Sequence, residues 1–169
     1  MIQNGYFLFL TALIPLVTGF IWYNPKVFGN VWLQASGVDP TPPSPKKMMI
    51  TFALTYLFGL FLSTMMMPLT IHQMGVLSVF EGDATVKTEG SEAYLFIKSF
   101  FTNYGDRFRT FKHGALHGTI ASLFFALPII GVMSLFEKKG FKYIAVHVGY
   151  WMLTLAIMGG LICQFIRLN

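Results

Sequence analysis

Four long apolar runs, at about residues 6–23, 48–67, 114–136 and 143–166, account for most of the chain, with polar or proline-rich stretches between them. Each is close to the ~20 residues that a helix needs to cross a ~30 Å hydrocarbon core. The pattern predicts an all-α, polytopic membrane protein: four transmembrane helices plus short interfacial amphipathic helices, in a single domain covering residues 1–169. The second run is the ambiguous one. From Pro45 to Phe80 there is almost no charge, yet one straight helix of that length would reach ~54 Å, longer than a bilayer of ~45 Å. The helix is therefore expected to break at Pro68, leaving residues 69–80 at or beyond the membrane surface.

The intervening stretches carry their own signals. Trp22 and Tyr23 end the first run as an aromatic pair of the headgroup region, and Asn24 followed by Pro25 reads as the cap and first position of a new helix. In it Val27, Phe28, Val31 and Trp32 form one stripe, which predicts a short surface helix ending at Gly37. Prolines at 40, 42, 43 and 45 make a stiff linker, and Ser44 caps the next helix. The polar insert 81–112 begins as loop. Its second half places Tyr94, Ile97, Phe101, Tyr104, Phe108 and Phe111 on one helical face, capped by Ser91 and Glu92, with Arg107, Arg109 and Lys112 near its end and Gly105 and Asp106 as points of interruption.

Runs three and four, the former kinked at Pro128, are joined so tightly through residues 137–140 that they predict an antiparallel hairpin. On the fourth, Ala145, Gly149, Ala156 and Gly160 share a face of small residues suited to helix packing, while His147, Tyr150, Trp151 and Thr154 form the opposite, polar face.

Composition narrows the class. The 169 residues are 54% apolar and 11% charged, with mean hydropathy +0.61, against roughly 25% charged in an average soluble domain. The net charge of +5 comes from residues that flank apolar runs and form no continuous stripe, which excludes nucleic acid as a partner and leaves the lipid bilayer. Cys163, the single cysteine, stands in an apolar run and reads as a small buried side chain. The opening Met1, Ile2, Gln3, Asn4 has no basic segment and no small-residue cleavage pattern, so a removed signal peptide is not expected. Lys and Arg divide evenly between the two sides of a four-span arrangement, but Lys138, Lys139 and Lys142 cluster close to two spans. This favours cytoplasmic first and third loops, with the termini and segment 81–112 periplasmic.

The run Trp22, Tyr23, Asn24, Pro25, with Phe28, Gly29 and Trp32, resembles the opening signature of an uncharacterised, mainly bacterial membrane family, domain of unknown function 1761. Leu135, Phe136 and Glu137, then Lys142, Gly149, Tyr150, Trp151, Met158 and Gly159, resemble its closing hairpin. The resemblance implies a four-span fold in the bacterial cytoplasmic membrane and implies no activity. Where that family commonly has Asn, this chain has His147, which counts against a catalytic base there.

The chain holds no phosphate-binding glycine loop, nucleophile elbow, His-Glu-x-x-His or Cys-x-x-Cys pattern, and its spans lack the interior charges of ion-coupled transport. This leans away from an enzyme. Histidines are the remaining chemistry. His113 and His117 are i and i+4 on one helix face, a spacing that suits two ligands of one metal; His72, just past Pro68, emerges on the same side of the membrane. His147 begins near the opposite surface, ~20 Å away along the hairpin. His72, His113 and His117 therefore read as interfacial residues, as a site for zinc or a similar ion, or as a protonation switch. No cofactor is required. Three function classes follow: a non-catalytic component that forms a homo-oligomer or joins a larger membrane complex, a small oligomeric permease or channel for a neutral solute, and a histidine-dependent metal-binding protein or membrane-embedded enzyme.

Overall fold

The computed structural model of the protein describes residues 2–168. A short strand β1 (Ile2–Gln3) leads into α1 (Phe7–Thr11) and α2 (Ile14–Trp22), followed by α3 (Gly29–Ser36), the long α4 (Pro45–Thr70) and α5 (Gln73–Val79). A 3-10 turn at Ala84–Lys87 precedes α6 (Glu92–Tyr104); then come α7 (Phe111–Ala121), a π-helical turn at Ser122–Ala126, α8 (Leu127–Phe136), α9 (Phe141–Phe165) and β2 (Arg167–Leu168). Among the described residues three helices are long and apolar enough to cross a membrane: Pro45–Thr70, Phe111–Phe136 and Phe141–Phe165. The fourth apolar segment, Phe7–Trp22, is shorter. It is divided near Ala12 and Leu13, because Pro15 in the first turn of α2 has no N–H to offer the Thr11 carbonyl.

α9 is the central element. More than half of its apolar window (56%) is buried inside the chain, against 11% for α4 and 17% for Phe111–Phe136. Met158, Ile162 and Ile166 of α9 and the residue after it are fully buried and pack with Ile14, Met66, Ile71 and Ala121. The outer helices turn large side chains such as Phe20, Phe124 and Leu135 outward, 70%, 72% and 72% exposed, the belt expected of a lipid-facing surface.

Backbones come closest where glycine allows it. A Cβ on Gly114 would collide with the Gly159 carbonyl, one on Gly118 with the Leu155 carbonyl, and one on Gly59 with the Ala12 carbonyl. These contacts seat α7 and α1 against α9 and α4. The small face foreseen on α9 is used differently. The ring of Trp22 lies against Gly149 and that of Phe111 against Gly160, where an added Cβ would meet them at 2.7 and 2.5 Å; Ala145 is exposed and Ala156 half-buried.

Several local expectations are corrected. α4 continues through Pro68 to Thr70; a proline in the last turn removes one helical bond, and the Met67 carbonyl still receives the Ile71 N–H at 2.8 Å. Asn24 and Pro25 form a turn and do not start a helix: the Asn24 carbonyl accepts from Val27 and Gly29, and α3 begins only at Gly29. The aromatic helix of the insert ends at Tyr104, so Phe108 lies in a loop and Phe111 opens α7. Arg109 serves a different helix from the one expected. Its side chain, 6% exposed, donates to the carbonyls of Cys163 (2.9 Å from Nε) and Ile166 at the C-terminus of α9, where a cation opposes the helix dipole.

Candidate metal centre

α4 delivers His72 immediately after its end, where Ile71 is fully buried and Gln73 is 4% exposed, so the backbone on both sides of the histidine is anchored. α7 delivers the other two. Thr110 caps it by accepting from the His113 N–H at 3.3 Å, and the helix sets His113 and His117 one turn apart, their rings 4.5 Å apart. His72 closes the triangle, with ring centroids 5.0 Å from His113 and 4.7 Å from His117. Nε2 of His72 and Nε2 of His113 are 3.0 Å apart, and one ring nitrogen of each of the three lies within 4.8 Å of the others. Tetrahedral zinc with Zn–N of ~2.0–2.1 Å needs its nitrogens ~3.3 Å apart. The three nitrogens are within 4.8 Å of one another, close to that spacing, and His72 is the exposed member of the three.

A residue that sequence reading passed over holds this cluster. Phe108 stacks on His113 at 5.2 Å and 21°, with the Arg107 guanidinium 5.3 Å above the Phe108 ring. Phe108 has a left-handed backbone, φ 63°, rare for a bulky aromatic residue, and such strain concentrates at functional sites. No local signal marks it beyond the adjacent Gly105 and Asp106.

His147 stands apart from this cluster. It shares a 3.0 Å hydrogen bond with the Tyr23 hydroxyl and packs on Tyr143, ring centroids 4.3 Å apart. Nearby the Tyr150 hydroxyl donates to the Pro15 carbonyl at 2.8 Å, Thr154 and Thr18 hydroxyls are 2.7 Å apart, and Trp22 Nε1 donates to the Val146 carbonyl at 3.0 Å. The polar face therefore fastens α2 to α9. The remaining signature residues support it: Phe28 packs on Trp22 at 4.4 Å and Trp32 on Tyr23 at 5.3 Å, while a Cβ at Gly29 would strike the Tyr23 carbonyl. Trp151 packs against Tyr150.

Residues 6–163, including the polar insert, match the family described as protein of unknown function, DUF1761. No curated protein and no solved structure matches the chain.

Proposed function

Because the chain belongs to the DUF1761 family, described as proteins of unknown function, we propose from its own residues that it is a multi-span membrane protein holding zinc or a similar ion on His72, His113 and His117. One observation carries this: three imidazoles from two separate segments, with ligand nitrogens within 4.8 Å, at a place where none of the three is needed to fill the core. Three neutral nitrogen donors with an open position suit zinc and its neighbours among the transition metals. Such a site binds an exchangeable ligand or activates water.

Parity supports a fourth crossing by Phe7–Trp22. β1 and β2 pair antiparallel, Ile2 with Leu168 and Gln3 with Arg167, which brings both ends of the described chain together and favours an even number of crossings. Three would come from the long helices. The histidines would then share a side with those ends, and the lysine cluster at 138–142 on the other side supports placing them in the periplasm of a bacterial cytoplasmic membrane. The reading as a self-associating component draws on the small face of α9 and on the aromatic segment 94–111; Trp22 and Phe111 of the same chain occupy the small face at Gly149 and Gly160, so metal binding is preferred.

The test is metal analysis of detergent-purified protein after incubation with zinc and removal of the excess. The expected result is about one ion per chain, lost in His113→Ala and in His117→Ala with helix content retained. Wild-type protein that emerges metal-free overturns the reading.

A further inference from the structure

Two cavities lie near the histidine cluster, one wholly apolar and one apolar with a few polar groups in its wall. One, of about 390 Å³, is an apolar groove between α4 and the π-helical turn with α8. Its floor is Met66, Ala121 and Leu155, 2%, 5% and 7% exposed, and its walls are Met65, Leu69, Phe125 and Ile129, all exposed. The groove exists because α4 packs along α7 and barely touches α8: the π-helical turn and Pro128 redirect the chain there. It opens sideways, toward where lipid would be. The other cavity, of about 400 Å³, is lined by His72, Gln73, Val76, Tyr104, Arg107 and Phe108 among others.

The wall of this second cavity contains unmet chemistry. Gln73 Nε2 donates to the carbonyls of Tyr104 (3.0 Å) and Arg107 (2.9 Å), which fixes the amide, while its buried Oε1 has no partner. A buried acceptor of this kind calls for a donor. Arg107 beside it supplies a cation that no carboxylate pairs with among the described residues.

The groove ends about one helical turn from the histidine cluster: Leu69 precedes His72 on α4 and Ala121 follows His117 on α7. His72 in turn lines the second cavity, beside Arg107. From Leu62 to His72 the chain covers ~15 Å at 1.5 Å per residue, half of a ~30 Å hydrocarbon core. An occupant that fits both places has an apolar tail one leaflet deep and an anionic head at its end.

We propose that the groove and the cavity beside it bind one bilayer phospholipid with a net anionic head, of the phosphatidylglycerol type. Its acyl chain lies in the groove between α4 and α8, and its head faces Arg107. The identification of this lipid as the ligand presented to the metal's open position rests on the metal-site reading; the binding itself does not.

The experiment incubates the purified full chain with equal amounts of phosphatidylglycerol and phosphatidylcholine and counts retained lipid by native mass spectrometry, with zinc content read in the same samples. The expected result is one lipid per chain with an about tenfold preference for phosphatidylglycerol, whose head lacks the choline cation that would stand near Arg107. Arg107→Gln removes the preference and keeps the lipid. Met65→Trp and Ala126→Phe, on opposite walls of the groove, each reduce retention. In phosphatidylcholine bilayers doped with acyl-brominated phosphatidylglycerol, the Trp151 share of the emission, taken as the wild type less Trp151→Phe, is quenched more than by brominated phosphatidylcholine at equal dose. Equal retention of the two lipids, or equal quenching by them, overturns the proposal. Lipid selectivity without zinc overturns the metal reading alone; zinc without selectivity overturns the lipid site alone.

Discussion

Gly118 on α7 faces the carbonyl of Leu155 on α9 with no space for a Cβ between them. A contact of this kind makes the whole seam sensitive to a single methyl group. Gly118→Ala is expected to lower stability by ~1–3 kcal/mol, since neither backbone can move without unseating the rest of the hairpin. Gly131→Ala is the control: nothing lies within 4 Å of its added Cβ, and better helix propensity contributes up to ~1 kcal/mol in the stabilising direction. Thermal unfolding in detergent, followed by circular dichroism, separates the two. Equal midpoints for both variants would refute the seam.

Arg109 makes the α9 C-terminus dependent on the insert. Arg109→Gln removes charge-assisted bonds to the Cys163 and Ile166 carbonyls, and a loss of ~1.5–3 kcal/mol is expected. Arg107→Gln, whose side chain caps no helix, should leave the melting midpoint close to wild type. If the order of the two is reversed, the capping role assigned to Arg109 is wrong.

How far the sequence could be read depended on the range of the interaction. Hydropathy runs and the i, i+4 spacing of His113 and His117 are local, so the long helices and the pairing of these histidines were legible, and Pro68 pointed to the place where His72 would emerge. Partner choice across the fold was not. Arg109 looks like the end of an aromatic helix until α9 is seen to terminate beside it, and Gly149 looks like a helix-contact residue until Trp22 fills the space. The same holds for Gly114 and Gly118: their close approach to α9 is decided by packing 37 or more residues away in the chain, and nothing adjacent in sequence announces it. Phe108 is the extreme case: its left-handed φ of 63° is one that a bulky aromatic side chain does not announce in sequence.

Metal occupancy should depend on pH. Zinc binds neutral imidazole, whose ordinary pKa is ~6.5, so protons compete for the three nitrogens as pH falls. Occupancy is expected to be full above neutrality and to decline progressively through the region below ~6.5. Equilibrium dialysis against buffered zinc from pH 8 to 5 measures it. An ion retained unchanged at pH 5 is not held by these histidines.

Topology is testable with single cysteines in a Cys163→Ala background. Glu89 is exposed and, unlike its neighbour Gly90 with φ 84°, accepts a side chain without strain; Lys142 is exposed at the start of α9. Glu89→Cys should react with an impermeant maleimide in intact cells, and Lys142→Cys only after permeabilisation. The opposite result reverses the charge argument, and labelling of both from one side removes the crossing by Phe111–Phe136.

The pairing of Ile2–Gln3 with Arg167–Leu168 sets an order of events during synthesis. Residues 7–22 cannot be seated by α9 until that helix has left the ribosome, since Tyr150, Val146 and Thr154 supply their partners. Until then the apolar segment 7–22, short and divided at Pro15, waits beside an unfinished bundle with its Pro15 carbonyl and Trp22 indole N–H unmatched. A segment translated late thus fastens one translated much earlier, and a ribosome stalled before residue 141 would leave a nascent chain for membrane quality control to recognise.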